Sequence, residues 1–334
     1  MTLPILGGKT RALSISVIVL VGLLAFPAVS SAQVVTTWTG ATSTDWDVDT
    51  NWTEGQPEAA DTAVIDNTSP NNPTVSTAGE VATAVNLSGS KQLTVSGVGD
   101  LDVSGQITAP AGTNVSLTGG LLEFGTLLVD NAAGFTATGG EFAGILDATT
   151  ATTYTIDGAS YGTTGSNGVT LDPPVSVTQS ADVTMQGTEF LNINAQLYTL
   201  DDVDILEAAS AGTTITITSG GTLFHNGGAD NVVQPDIDSS GTIHTATGIG
   251  SLTLVSNGGG NTNQLGGTLQ TAGNGAMFLA TDGTGDTYTV KAGGLTVNNP
   301  SGQVELIGGT GFDFDLNAQT VSLNGDLTWD GTLG

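Results

Sequence analysis

The sequence predicts an all-β fold: a parallel β-helix, or solenoid, closed at its start by a Trp-rich cap. Three observations lead there. A five-residue unit recurs, written apolar, any, apolar, Ser/Thr/Asn and then usually Gly, as in Leu93-Thr94-Val95-Ser96-Gly97 and Leu101-Asp102-Val103-Ser104-Gly105. Helix signals are scarce, with Asp outnumbering Glu 24 to 8 and Thr reaching 54 of 334 residues. Asp belongs in turns, and Thr and Val favour strands. Three of the four Trp (Trp38, Trp46 and Trp52) stand together ahead of the first unit.

Taken in chain order, residues 1–32 read as a secretory leader. Lys9 and Arg11 precede a weakly polar to apolar run, Ala12 to Phe26, which Pro27 breaks before Ser30-Ser31-Ala32. That is the charged, apolar and small-residue order of an export signal, and it is shorter than the roughly 20 residues that span a bilayer. No second long apolar run follows, so the mature chain is expected without a transmembrane segment, secreted or at the cell surface. Cleavage after Ala32 would leave 302 of 334 residues and remove both early cations, taking the formal charge from -28 to about -30. Only Lys91 and Lys291 remain positive. Nucleic-acid binding needs a basic face, so that class is excluded. Cysteine is absent and His occurs twice, which removes thiol, zinc and iron–sulfur chemistry.

Residues 33–61 are expected to form the N-terminal cap, its indoles covering the first coil; a sugar-binding aromatic patch is the competing reading. From residue 62 to residue 334 the repeats take over. The unit returns as Val85-Asn86-Leu87-Ser88-Gly89, Val115-Ser116-Leu117-Thr118-Gly119 and Val321-Ser322-Leu323-Asn324-Gly325. Alternation puts two apolar side chains on one face, and the polar–Gly pair turns the chain. A strand of three to five residues cannot bury a face alone, whereas stacked copies can. A sandwich would want longer strands and aromatic core plugs; aromatic residues are 5% here and the unit is aliphatic. Coils of about 20–25 residues would number about 11–13 and build a rod on the order of 55 Å. Residues 205–211 are the best helical candidate. The repeat rhythm is still running at Gly331, so the chain is expected to be the front part of a longer protein.

Trp38-Thr39-Gly40, Asp45-Trp46, Asn51-Trp52, Gly55, Pro57 and Asp61-Thr62-Ala63-Val64-Ile65 resemble the opening of large repetitive bacterial surface proteins of the autotransporter-passenger or filamentous-adhesin type. The resemblance covers about thirty residues. It implies an extracellular or cell-surface right-handed parallel β-helix and no catalytic residues.

Candidate chemistry is sparse. If extended, Asp45, Asp47 and Asp49 share a face with Asn51, and such oxygens suit Ca²⁺. An EF-hand loop wants Gly where Thr50 stands, so a solvated acidic face is the plainer reading; Phe312 to Asn317 reads the same way. The stretch from Asp282 to Tyr288 suggests a calcium nonapeptide but lacks its spacing, so a tight turn before the strand Tyr288-Thr289-Val290 suffices. Asp201, Asp202 and Asp204 form the densest carboxylate group, and paired acids can hydrolyse glycosides. His225 and His244 are about one coil apart and read as exposed loop residues. Thr-x-Thr pairs (Thr136/Thr138, Thr153/Thr155, Thr214/Thr216/Thr218, Thr245/Thr247, Thr287/Thr289) suggest an ice-binding array, but their spacings are irregular, so outward strand threonines explain them. The functional expectation is a non-enzymatic extracellular or cell-surface structural and adhesive module with a cell-surface, matrix or polysaccharide partner. The alternatives are a carbohydrate-active β-helix enzyme, either polysaccharide lyase or glycoside hydrolase, and an ice- or surface-binding protein. The uncompensated negative charge is expected to make the fold gain stability from salt or Ca²⁺.

Overall fold

The computed structural model describes residues 33–130, 134–162, 168–185, 188–194, 196–207, 212–246, 250–256, 262–281, 287–308 and 312–330. All lie in one compact unit, Gln33–Gly334. The expected leader, the 282–286 turn and most of the helical candidate 205–211 are outside the described residues. The part of that candidate that is described, Ile205–Glu207, is a strand. Its Ile205 pairs with Val183 and Val233 on either side, and this pairing overrides a local helical preference.

The chain winds as a parallel β-solenoid of about 11 turns. Each turn contributes one strand to each of three faces. Face one opens with Val35–Thr37, Thr62–Ile65 and Ala84–Leu87. Face two opens with Thr74–Val75 and Gln92–Val95, and face three with Glu80–Ala82 and then Asp100–Ala109. Every strand-to-strand pairing along the stack is parallel, and each residue sits over its counterpart one turn back: Ala63 over Val85, Val85 over Ile107, Ile107 over Leu127. Such steps range from 19 residues, as from Leu127 to Leu146, to 28 residues, as from Ile205 to Val233.

The five-residue unit does what its pattern dictates. In Ala84–Leu87, Val85 and Leu87 are buried and Asn86 is exposed; in Gln92–Val95, Leu93 and Val95 are buried. One continuous core runs the length of the unit, from Trp38 to Leu306. Two features differ from the sequence reading. Several strands are long: Asn114–Val129 and Thr287–Ile307 run through corners instead of stopping at them. Glycine permits this. At Gly120 φ is +74° and a Cβ would lie 2.0 Å from the carbonyl oxygen of Gly99, so coils touch backbone to backbone there. The interior also holds aromatic rings. Phe135, Phe142, Tyr154, Tyr161 and Tyr198 are fully buried and meet edge to face at 5.3–6.2 Å. A parallel stack places like on like, so a few rings clustered in adjacent coils plug the core at low overall aromatic content.

The N-terminal cap is a tryptophan cluster. Trp52 meets Trp38 at 5.0 Å and Trp46 at 4.7 Å, both edge to face. All three are at most 4% exposed. The Trp38 indole donates to the carbonyl of Asn71, and the backbone N–H of Trp46 to the carbonyl of Thr74, so the cluster is tied to the first coil.

Candidate functional site

The acidic segment after Trp38 is not an extended strand. Asp45 makes a single bridge to Thr74, a turn follows, and Asp49–Asn51 is a 3₁₀ turn. The common face on which Asp45, Asp47 and Asp49 would have gathered therefore does not form. Asn51 is fully buried instead and organises the loop. Its Oδ1 accepts from the N–H groups of Thr42 (2.9 Å) and Ser43 (3.0 Å), and its Nδ2 donates to Ser43 Oγ and the Asp45 carbonyl. Among the described residues no group of three or more His, Cys, Asp or Glu is placed to hold a metal ion.

The Asp201–Asp204 group is a corner, as a polar loop requires, and its carboxylates clip one coil to the next. Asp202 Oδ1 accepts from the N–H of Ala229 at 2.8 Å, and Asp204 Oδ1 from that of Val232 at 2.7 Å. Asp182 does the same for Asp204, and Asp230 for Ser251. This explains much of the Asp content: carboxylates satisfy corner N–H groups that the ladders leave over.

The histidines correct the sequence reading. Both are in strands, Thr222–His225 and Thr242–Thr245, and neither is an exposed loop residue. His225 points inward and is 2% exposed, above Thr245. His244 lies on the outer side of the next coil, over Phe224, with ring centroids 4.9 Å apart. Strand alternation thus sends the two rings to opposite sides of one sheet. Burial holds His244 below the usual histidine range.

Two surfaces emerge that no local motif announced. The first is on face two. Thr74, Thr94, Ser116, Thr136, Thr155, Thr178 and Thr199 form one outward column, each directly above the last in the parallel register. At about 4.8 Å per coil this hydroxyl ladder runs about 29 Å. It then shifts by two residues along the strand and continues as Thr222, Thr242, Thr268, Thr296 and Ser322. The vacated positions carry Phe224, His244, Gln270, Asn298 and Asn324. The Thr-x-Thr pairs are indeed out of register with one another: Thr214 and Thr216 are on face one, and Thr245 points inward. Single threonines are aligned where pairs are not.

The second surface is a groove of about 520 Å³ at the corner where face three bends into face one. Asp102 and Glu123, paired in adjacent coils, line its first two coils, and Ile145, Thr170 and Phe190 the three coils that follow. Phe124 and glycines form the floor. Gly144 has φ +139°, and a Cβ there would fall 2.4 Å from the Phe124 ring. Only glycine leaves room for that ring beside the backbone. Burial raises the carboxyl of Asp102, and neighbouring Glu123 and Asp100 add to it. Asp100 and Glu141 are raised by burial as well, Asp100 also by Glu123. The two lysines among the described residues lie elsewhere: Lys91 donates to the carbonyl of Ser69 and Lys291 pairs with Asp238.

No known protein family matches the chain, and neither do any curated protein or any solved structure. No described helix is long and apolar enough to cross a membrane.

Proposed function

We propose that this chain is a non-enzymatic extracellular or cell-surface module of the repetitive surface-protein type, a stiff rod that adheres through its hydroxyl-lined face. The observation that carries the reading is the in-register ladder from Thr74 to Thr199 and on to Ser322. Parallel stacking turns one outward Thr per coil into a flat periodic surface, and a periodic surface suits a periodic partner such as a polysaccharide. The leader-like start of the sequence supports export. The groove supports binding over hydrolysis, because its two acidic lining residues, Asp102 and Glu123, are stacked side by side in adjacent coils. Glycoside cleavage wants carboxyl groups on either side of the scissile bond.

Co-sedimentation with crystalline cellulose and chitin tests the reading. The wild-type protein is expected in the pellet and a Thr155→Lys/Thr178→Lys variant in the supernatant. Equal partition of the two proteins sinks it, as does release of reducing or unsaturated ends by the wild type from a polysaccharide panel. The same ladder favours a second reading, ordering of water at an ice surface. Thermal hysteresis in the wild type that is lost in the lysine variant would select it.

A further inference from the structure

We propose that the later coils of face two bind an uncharged, extended β-linked hexose chain lying along the solenoid axis. This site rests on the reading of that face as the adhesive one, and adds where a glycan is held and of which kind. Charge separates face two from its neighbours. The protein has 32 Asp and Glu against four Lys and Arg. Face one carries Asp236 and Asp238, and face three Asp100, Asp102 and Glu123. Among the described residues, the face-two strands from Thr74 to Asn324 hold no charged side chain. An acidic glycan is repelled by the overall charge, and a cationic one meets its acids on the other faces. In three successive coils one hydroxyl and one amide stand outward in register: Thr268 with Gln270, Thr296 with Asn298, and Ser322 with Asn324. Asn324 Nδ2 donates to Asn298 Oδ1 at 2.8 Å, which aligns those amides along the axis. Hydroxyls and amides both donate and accept, as the hydroxyls of a sugar require. The coil step of about 4.8 Å is close to one pyranose residue of an extended chain, so each coil meets one sugar. A second groove, of about 330 Å³, flanks the hydroxyl column at the corner where face one bends into face two. Ser240, Thr268, Thr296 and glycines line it, none of its lining residues is charged, and Lys291 at that corner is paired with Asp238. Gly293, at φ +106°, has open space where a Cβ would stand, which leaves room for a ring substituent. At the start of the same tract the half-buried Phe224 ring meets His244 at 4.9 Å, and the exposed Leu197 lies one coil before Thr222. Together they offer an apolar platform for the C–H face of a sugar.

Calorimetric titration of the purified protein with cellohexaose, β-1,4-mannohexaose, maltohexaose and a galacturonic acid hexamer tests the assignment. At least one of the two extended neutral hexamers is expected to bind. The coiled α-linked maltohexaose and the acidic hexamer are expected to bind at least tenfold more weakly. Gln270→Ala/Asn298→Ala and Phe224→Ser should each weaken the bound hexamer roughly tenfold. Asn86→Ala/Gln264→Ala removes two exposed amides from face one and should leave the affinity unchanged. Equal weakening by that control overturns the proposal, as does equal binding of maltohexaose or the acidic hexamer, or no binding of either neutral hexamer. Amide shift perturbations in the wild-type protein, expected in Thr222–His225 and Thr242–Thr245 and at Thr268 and Thr296, need no variant; perturbations centred on face one or face three overturn it. The Thr155→Lys/Thr178→Lys variant separates this site from the longer ladder. If polysaccharide is released by the lysines while the amide and Phe224 variants bind as wild type, the adhesive face stands and the later-coil site falls. If the lysines have no effect while those variants lose the hexamer, the later-coil site stands and the longer ladder falls.

Discussion

The first coils and the last coils share a backbone plan and differ in what they enclose. Between Leu93 and Leu200 the inward column of face two reads Leu93, Val115, Phe135, Tyr154, Val177 and Tyr198, with Val95, Leu117, Ala137, Ile156, Gln179 and Leu200 beside it. Its polar groups are all used. Tyr154 donates to the carbonyl of Val129, and Tyr161, Tyr198 and Gln179 are linked by hydrogen bonds. Gln179 Nε2 in turn donates to the carbonyls of Ala181 and Asp204. From His225 onward the second column turns polar: His225, Thr245, Thr271 and Asn299 stack where Ile156 and Leu200 stood before. Ser239 and Asn263 join them from face one. His225 Nε2, Ser239 Oγ, Thr245 Oγ1, Asn263 Nδ2, Thr271 Oγ1 and Asn299 Oδ1 are buried without a hydrogen-bond partner. The lesson is that a repeat fixes the path of the chain while leaving the quality of its interior free to vary. Because each coil touches only its neighbours, the later coils are expected to open locally at lower free energy than the earlier ones. Amide hydrogen exchange should therefore be slower in Gln92–Val95 than in Thr242–Thr245; the reverse order breaks the comparison.

The largest expected effect comes from the ring cluster that only the earlier coils possess. Phe142 touches Phe135 at 5.4 Å and Tyr161 at 5.3 Å, and is fully buried. Phe142→Ala should destabilise the protein by about 3–5 kcal/mol in denaturant titration, because the cavity is walled by neighbours above and below. A loss below ~1 kcal/mol would mean that the stack collapses around the gap, and the earlier coils would then have no packing advantage to defend.

Next come two hydroxyl deletions of opposite sign. Tyr198→Phe keeps the ring but strips Gln179 Oε1 and the Tyr161 hydroxyl of their partner in a dry interior. The expected loss is about 1–3 kcal/mol. Thr245→Val also removes a buried hydroxyl, but one with no partner. The shape is preserved and an unsatisfied group disappears, so a gain of about 1 kcal/mol is expected. Thermal melts of the two variants beside wild type check the pair of signs. Destabilisation by both would show that the interior of the later coils is as well satisfied as that of the earlier ones.

The same contrast explains what could be read from the sequence. The solenoid was legible because each apolar-x-apolar-polar-Gly unit writes a strand and its corner within five residues, without help from elsewhere. The tryptophan cap was legible because Trp38, Trp46 and Trp52 precede the first such unit. The hydroxyl ladder was not, since coil lengths vary: Thr136 to Thr155 is 19 residues and Thr155 to Thr178 is 23, so alignment exists only once the register is set. The groove hid for the same reason. Asp102 and Glu123 are each the middle residue of an apolar-x-apolar unit, Leu101-Asp102-Val103 and Leu122-Glu123-Phe124, and aligning those units would have brought them together. The polar interior was misread because His225 looks like a surface residue to any argument from composition. Its place is decided by the Leu223 and Ile243 alternation around it.

The smallest effect is the response to acid, which should differ in sign between the two regions. In the earlier coils Glu80, Asp100, Asp102 and Glu141 have carboxyls raised chiefly by burial. For an acid whose folded pKa lies above its unfolded one, the folded state takes up the proton first. Stability is thus gained as pH falls through the folded value and is fully present below the unfolded values of 3.8 and 4.5. Asp66, lowered by its hydrogen bonds to Thr68, opposes this, but it is almost wholly solvated and counts for little. In the later coils His244 is held below 6.5 by burial against Phe224. A base lowered on folding works the other way: stability present above the unfolded value of 6.5 is lost as pH falls through the folded one. Hydrogen exchange compared at about pH 7 and about pH 4.5, after correction for intrinsic rates, should therefore show protection rising around Asp100–Ala109 and falling around Thr242–Thr245. His244→Phe retains the ring contact and removes the titrating nitrogen, so it should abolish the fall and leave the rise untouched. Parallel responses in both regions, or a fall that survives the substitution, would assign the acid response to the protein's overall charge of -28 instead of to these side chains.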